Sequence, residues 1–266
     1  MTIQEKPDMS NFRLFLSFIK GDSRIPDAFR WSFSIDAKVN AVGILHEEVL
    51  LQIPKCMAEI RASEEEGVGE IVQSIILAIR YEVFLNSIYA LCENLSYLVH
   101  HLHGKTVPRP FRAQRQRFLQ YTELDSEYAK VLEQSKWYDE VNAMRTEATH
   151  FLSGMITISR PSQLGYFNVP KDPREGAPKE IQIADVEKHV KDVYLGVLTF
   201  LSMFGNHFVT MINQDSRVAQ ICYIIPRVGI GGRLISLREH LNGQPGVCQT
   251  PLFDCPNKNS CKARNK

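Results

Sequence analysis

The sequence predicts an all-α fold: an antiparallel bundle of four or five helices, with a small N-terminal β element and a short cysteine-containing C-terminal appendage. Three observations carry that expectation. Apolar residues recur at steps of three and four from Lys38 to Ala62 and again from Asp185 to Ile212. Between these stretches, Gly69 to His103 is apolar almost all round, which in a globular chain marks a helix enclosed by partners. Apolar residues make up 44% of 266 positions, enough for a sizeable core.

Taken in order, Phe29-Arg30-Trp31-Ser32-Phe33-Ser34-Ile35 alternates strictly and predicts a strand, after a looser apolar stretch at Phe12 to Ile19. The helix over 38–62 closes at Glu64-Glu65-Glu66-Gly67, and the central apolar helix follows. Gly104 is a stop signal for that helix, next to His100, His101 and His103, which favour a helix C-terminus when charged. His100 and His103 also stand at a spacing that could hold a metal or approach RNA. Within the central helix, Glu82, Asn86, Glu93 and His100 fall on one narrow stripe, either the face that meets water or the lining of a cleft. Helices are then expected near Phe111 to Tyr121, Asp125 to Gln134 and Trp137 to Ile158. An exposed connection is expected from Gly165 to Pro178, followed by a last helix capped by Asp185. Ser236-Leu237-Arg238-Glu239 spells a capping box for a short helix. The chain thus divides into an N-terminal extension (1–66), a helical bundle (67–213) and a basic appendage (214–266).

No charged segment followed by an apolar run and a cleavage site opens the chain, and no uninterrupted apolar stretch reaches the length of a membrane span. No membrane is therefore expected as a partner, and the cytoplasm is the expected compartment. Six cysteines, with Cys56 and Cys92 inside helical patterns, read as reduced thiols. The net charge of +1 hides an asymmetry, since residues 217–266 carry eight Lys/Arg against two Asp/Glu. A second basic cluster, Lys105, Arg109, Arg112, Arg115 and Arg117, contains no acid and follows the central helix. It suits a phosphate backbone such as RNA, or simply a solvated turn.

The candidate chemistry lies in Met144-Arg145-Thr146-Glu147-Ala148-Thr149-His150-Phe151. A guanidinium can grip a phosphate and an imidazole can move a proton near neutral pH, which are two of the functions RNA cleavage requires. The plain alternative is an Arg145 ion pair with a nearby acid such as Glu140 or Glu147, and a satisfied His150. Thr146 and Glu147, four and three residues before His150, could each orient the imidazole, with Glu93 a further support.

The order of a long apolar helix, a basic turn, an Arg-x4-His helix and a last long helix resembles the HEPN superfamily over roughly residues 68–213. The resemblance implies a helical domain that dimerises so that two Arg-His pairs meet in a cleft, many members being metal-independent ribonucleases in toxin and antiphage systems. It carries over Arg145 and His150, a homodimer, RNA as substrate and an antitoxin or defence-system partner, with no cofactor for catalysis. Thr146 departs from the Asn, Asp or His common after the arginine. Leu152 stands where one branch carries a modified tyrosine, so that branch's control is not implied. A catalytically silent module that binds nucleic acid or protein is the other function class.

Helix geometry constrains the pair independently. Five steps rotate about 500°, so Arg145 and His150 emerge some 140° apart, and a second surface is needed to bring both to one phosphate. A two-fold dimer supplies one.

In the tail, Cys248, Cys255 and Cys261 stand at C-x6-C-x5-C with Asn265 where a Cys3His finger would have histidine, so they read either as a structural zinc site completed by His240 or as free thiols. Because thiolate coordination supplies folding energy, a chelator is expected to unfold a zinc-held tail. Limited proteolysis with and without chelator reads this directly, and an unchanged digestion pattern removes the zinc.

Overall fold

A computed structural model of the chain describes residues 7–66, 72–150, 154–160, 163–168, 182–225 and 229–248. They are mostly helical, with two small antiparallel sheets. In chain order come α1 (Ser10–Phe18), α2 (Ala28–Glu66), α3 (Val72–Leu102), α4 (Phe111–Gln120), α5 (Ser126–Glu133) and α6 (Trp137–His150). Then follow β1 (Met155–Arg160), β2 (Gln163–Phe167), β3 (Gln182–Ile183), α7 (Val186–Phe208), β4 (Arg217–Ile225), β5 (Gly229–Ser236), α8 (Leu237–Leu241) and β6 (Val247–Cys248).

Local signals place most helix ends where the sequence puts them. Asp125 accepts from the Tyr128 amide at the start of α5, and Asp185 from the Lys188 amide at the start of α7. Ser236 and Glu239 form the reciprocal capping box of α8. Gly104, at φ +63°, closes α3 while the Lys105 amide reaches back to the His100 carbonyl.

Three stretches differ from expectation. Phe29 to Ile35 is not a strand but part of α2, because the buried positions are Ala28, Ser32, Ile35, Val42, His46 and Val49, a helical 3-4 repeat into which Ser and His enter as buried polar residues. The aromatic residues that suggested alternation, Phe29 and Phe33, are 67% exposed. Ser32 donates its hydroxyl proton to the Leu16 carbonyl at 2.7 Å, so its burial is compensated. Helix α6, expected to reach Ile158, ends at His150, and Met155 with the β-branched Ile156, Thr157 and Ile158 opens β1 instead. Part of the connection expected from Gly165 to Pro178 is also strand, with Leu164, Gly165 and Tyr166 buried in β2, while 169–181 lie outside the described residues.

The described chain divides into two compact units that are not collinear with sequence. The first comprises 1–7, 35–97 and 109–200, and the second 8–34, 98–108 and 201–266. In the first, the sheet β1-β2-β3 is antiparallel throughout, Ile156 opposite Tyr166 and Tyr166 opposite Ile183. Its core is built on α3, whose Leu77, Phe84, Ile88, Leu91 and Leu95 are fully buried. Tyr128 donates to Gln114, which donates to the Ser96 carbonyl, tying α5 and α4 to α3. Phe200 of α7 meets Phe111 and Trp137 edge-on.

The second unit packs Phe12 and Phe15 against Phe204, edge to face, with Phe15 also beside Phe208. Gly205 lies so close to the Phe12 backbone that any Cβ there would overlap it. Strands β4 and β5 form a hairpin with β6 on the far edge. At the junction of α1 and α2 the buried Asp22 accepts from the Arg24 amide, Nε and Nη2 and from the Asn213 amide. Burial alone would raise the Asp22 pKa, but these hydrogen bonds together hold it below the ordinary value.

Among the described residues α3 is the one helix long and apolar enough, by length and composition, to cross a membrane, a length the sequence reading did not credit it with. Half of its most apolar window is buried inside the protein.

Asp22→Ala is expected to cost about 2–3 kcal/mol, since it strands several donors of a charge-assisted network. The sign with pH follows from the lowered pKa: wild-type stability at this site is present above pH 3.8 and is lost as pH falls below it. Urea denaturation of both proteins at pH 7 and pH 3 checks this, and the gap between them should narrow at the lower pH.

Candidate functional site

Arg145 projects from the middle of α6 over the Tyr89 ring of α3, its guanidinium carbon 4.4 Å from the ring centroid. Such a cation-π contact holds a planar cation in one orientation and leaves its nitrogens free to donate. The Tyr89 ring stacks in turn on Tyr138 of α6, centroids 6.2 Å apart and planes within 16°. Phe111 closes the stack with its edge toward Tyr138 at 4.7 Å.

Glu93 lies beneath this stack, half-buried. One of its carboxylate oxygens accepts from the Tyr138 hydroxyl at 3.5 Å, and the other from the Phe111 amide at 3.5 Å, which is the open N-terminus of α4. Tyr89, one helical turn before it, also bonds to it. Burial raises the Glu93 pKa above its ordinary value; the Phe111 amide, both tyrosines and Arg145 offset that only in part. Burial likewise pushes the Tyr89 and Tyr138 hydroxyls up, with the Glu93 charge adding to it, so both remain protonated donors. A carboxyl with a raised pKa beside an arginine and two phenols is the arrangement in which protons are held and moved.

The structure thus brings Arg145 and Glu93 together from two helices. His150 is the last residue of α6, and its side chain and that of Glu147 lie outside the described residues. Thr146 donates its hydroxyl proton back to the Asn142 carbonyl at 2.7 Å, so that proton is not directed at the imidazole. Arg115 is not part of an exposed turn: it is buried, passes over the Tyr138 ring at 5.6 Å and ion-pairs with Asp139. It therefore rests on the second ring of the stack, as Arg145 rests on the first. Arg112 and Arg117 are exposed, and Arg109, also exposed, lies over Tyr97 at 4.9 Å; Lys105 is exposed in the second unit.

On the polar stripe of α3, Glu82 and His100 are satisfied by neighbouring groups. Glu82 accepts from the Tyr166 hydroxyl at 2.7 Å and the Gly154 amide at 2.8 Å, and His100 bonds to the Val107 carbonyl. Beside Glu82, the Tyr81 hydroxyl meets His189 Nδ1 at 2.7 Å, and His189 Nε2 faces Glu140 at 3.3 Å. Burial lowers the His189 pKa, with Glu140 opposing it. Glu140 is thus engaged with α7 and is not the partner of Arg145.

Of the expected zinc ligands, His240 lies on α8 with its ring 5.4 Å from Phe18 and Cys248 sits on β6, while Cys255 and Cys261 lie outside the described residues. Among the described residues no group of three metal-ligating side chains converges.

Tyr89 and Tyr138 were missed by the sequence reading. Their signals are positional: Tyr89 is four residues before Glu93, and Tyr138 is seven before Arg145, two turns up the same face. Compared with known proteins, the chain matches no family model, no curated protein and no solved structure.

Because Glu93 holds its proton more tightly folded than unfolded, its ionised form weighs against the fold at neutral pH. Glu93→Gln is therefore expected to be the more stable protein at pH 7, and the difference should shrink as pH falls toward 4.5. Thermal melts across that range measure it. A variant less stable than wild type at pH 7 would contradict the assignment.

Proposed function

We propose that the chain is a metal-independent endoribonuclease of the HEPN type, acting in the cytoplasm as a toxin or antiphage effector. What supports the reading is one observation above the others: Arg145 lies over the Tyr89 ring beside the Glu93 carboxyl, five positions before His150 on the same helix. A guanidinium preorganised in this way costs little to orient when charge develops on a phosphoryl oxygen.

In the reaction His150 takes the proton of a ribose 2′-hydroxyl, whose oxygen attacks the adjacent phosphorus. The bond to the 5′-oxygen breaks as that oxygen takes a proton from the His150 imidazolium, so that the imidazole returns to its neutral form. The products are a cyclic phosphate and a 5′-hydroxyl end. Arg145 neutralises the phosphoryl oxygens, and Glu93 and Tyr89 position it. Two protomers contribute to one site, because a single Arg145 and His150 diverge on their helix. Exposed Arg109, Arg112, Arg117 and Lys105 supply sequence-independent attraction for the backbone. A tail zinc on Cys248, Cys255, Cys261 and His240 and an antitoxin or defence partner belong to the same reading.

Purified protein incubated with mixed RNA in EDTA is expected to produce cyclic-phosphate ends, and Arg145→Ala and His150→Ala each to lose at least about 100-fold of that rate. RNA cut equally by the variants sinks the enzyme. RNA bound but left whole by wild type assigns instead a catalytically silent binding module.

A further inference from the structure

Tyr89, Glu93 and Tyr97 follow one another at steps of four on α3, a drift of only about 40° each time, so they share one face of the helix. Arg145 stands over the first ring, and Arg109 stands over the second with its guanidinium carbon 4.9 Å from the centroid. From Tyr89 to Tyr97 the helix advances about 12 Å, roughly two turns. The face thus repeats one device, an arginine on a tyrosine. Glu93 lies between the two, its carboxylate turned to the Phe111 amide and the Tyr138 hydroxyl, so the negative charge there is already engaged.

Arg109 is held by its own backbone as well. It stands between Pro108 and Pro110, whose rings fix φ, and a residue before proline is driven out of the helical region toward extended backbone. Pro110 has φ −65° and ψ 137°, and the next residue, Phe111, is fully buried with its ring against Tyr138 and Phe200. An exposed side chain is therefore carried on a stiff segment anchored two residues on. Among the described residues no carboxylate forms an ion pair with Arg109 or Arg145, whereas Arg115 is taken by Asp139. A ring beneath a guanidinium limits its motion without using an N–H donor, so both arginines keep donors for an oxyanion from outside. Arg112 and Arg117, equally exposed, have no such ring among the described residues.

We propose that Arg109 on Tyr97 is a second phosphate subsite, which grips a phosphodiester of the same RNA strand that Arg145 on Tyr89 meets roughly two turns away along α3. Arg109 touches the strand away from the phosphate that is cut, and fixes where along the strand Arg145 falls. Its neighbours Arg112 and Arg117 attract the backbone only diffusely. The subsite stands on the repeated arginine-tyrosine pair; the choice of RNA as the strand, and the consequence for cleavage, rest on the function proposed above.

Fluorescence anisotropy of the full chain with a labelled single-stranded oligo(U) of 2′-O-methyl riboses tests it, since the blocked 2′-oxygen lets binding be read without cleavage. Wild type is expected to bind, and Arg109→Ala to bind about ten-fold more weakly, with log affinity against log salt shallower by about 0.7, the share of one single-strand phosphate. Tyr97→Leu keeps the charge but removes the ring and is expected to lose about three-fold, while Tyr97→Phe stays near wild type. Arg109→Lys, which keeps the charge without the planar fork, is expected to fall with Tyr97→Leu. Arg109 is exposed, so its own variants decide the matter if Tyr97→Leu loses its helical circular dichroism spectrum. A wild type that leaves the oligonucleotide free, a loss in Arg112→Ala as large as that in Arg109→Ala, or full affinity in both Tyr97→Leu and Arg109→Lys overturns the proposal. Binding that depends on the pair in a protein that never cuts unblocked RNA leaves the subsite and removes only the activity. RNA cut by a protein whose Arg109 and Tyr97 variants bind like wild type does the reverse.

Discussion

Helix α3 buries carboxylates, and the first unit is arranged around answering them. An ionised side chain withdrawn from water costs several kcal/mol unless donors replace the lost hydration. Glu82 takes its donors from Tyr166 and from the Gly154 amide, which lies outside α6 and is free to donate. The same close approach leaves no room for a Cβ at 154, where the Tyr166 ring lies. Glu93 takes its donors from the first amide of α4 and from Tyr138 in the first turn of α6. Two acids eleven residues apart on one helix thereby set where three later elements begin or end.

The features legible in the sequence are those with local causes. Caps at Asp125, Asp185 and Ser236 need only a side chain and an amide three residues on, so they can be read without the fold. The periodic core of α2, α3 and α7 is legible for the same reason. What escaped is set by partners distant in sequence. Phe29 to Ile35 alternates because Phe29 and Phe33 remain outside, a choice made by packing and not by period. Strand β1 begins beside the Gly154 amide that Glu82 accepts from, a contact made across seventy-two residues and invisible to local pattern.

The candidate site divides along the same line. Arg145 and Glu93 stand out as polar residues on helices, but nothing in a single chain says that they meet. Tyr89 and Tyr138 look like ordinary core aromatics, and only their stacking gives them a positioning role. Arg115 was read with its basic neighbours, yet its helical phase on α4 turns it inward with Phe111 and Phe118, where Asp139 and the Tyr138 ring receive it. One arginine of a basic cluster is thus structural, and its charge is spent inside the protein.

A helix that is apolar all round needs cover on all sides, and the first unit covers only part of α3. The inward arc is filled by Phe84, Ile88, Leu91 and Leu95, and the adjoining arc meets α6 through Tyr89 and Glu93. The remaining arc, from Val72 to Val83, faces water, with Val72, Ile75, Ile79 and Val83 each between 42% and 52% exposed. The helix is therefore apolar all round in sequence but enclosed on its inner side alone, so its composition overstates how much of it the core covers.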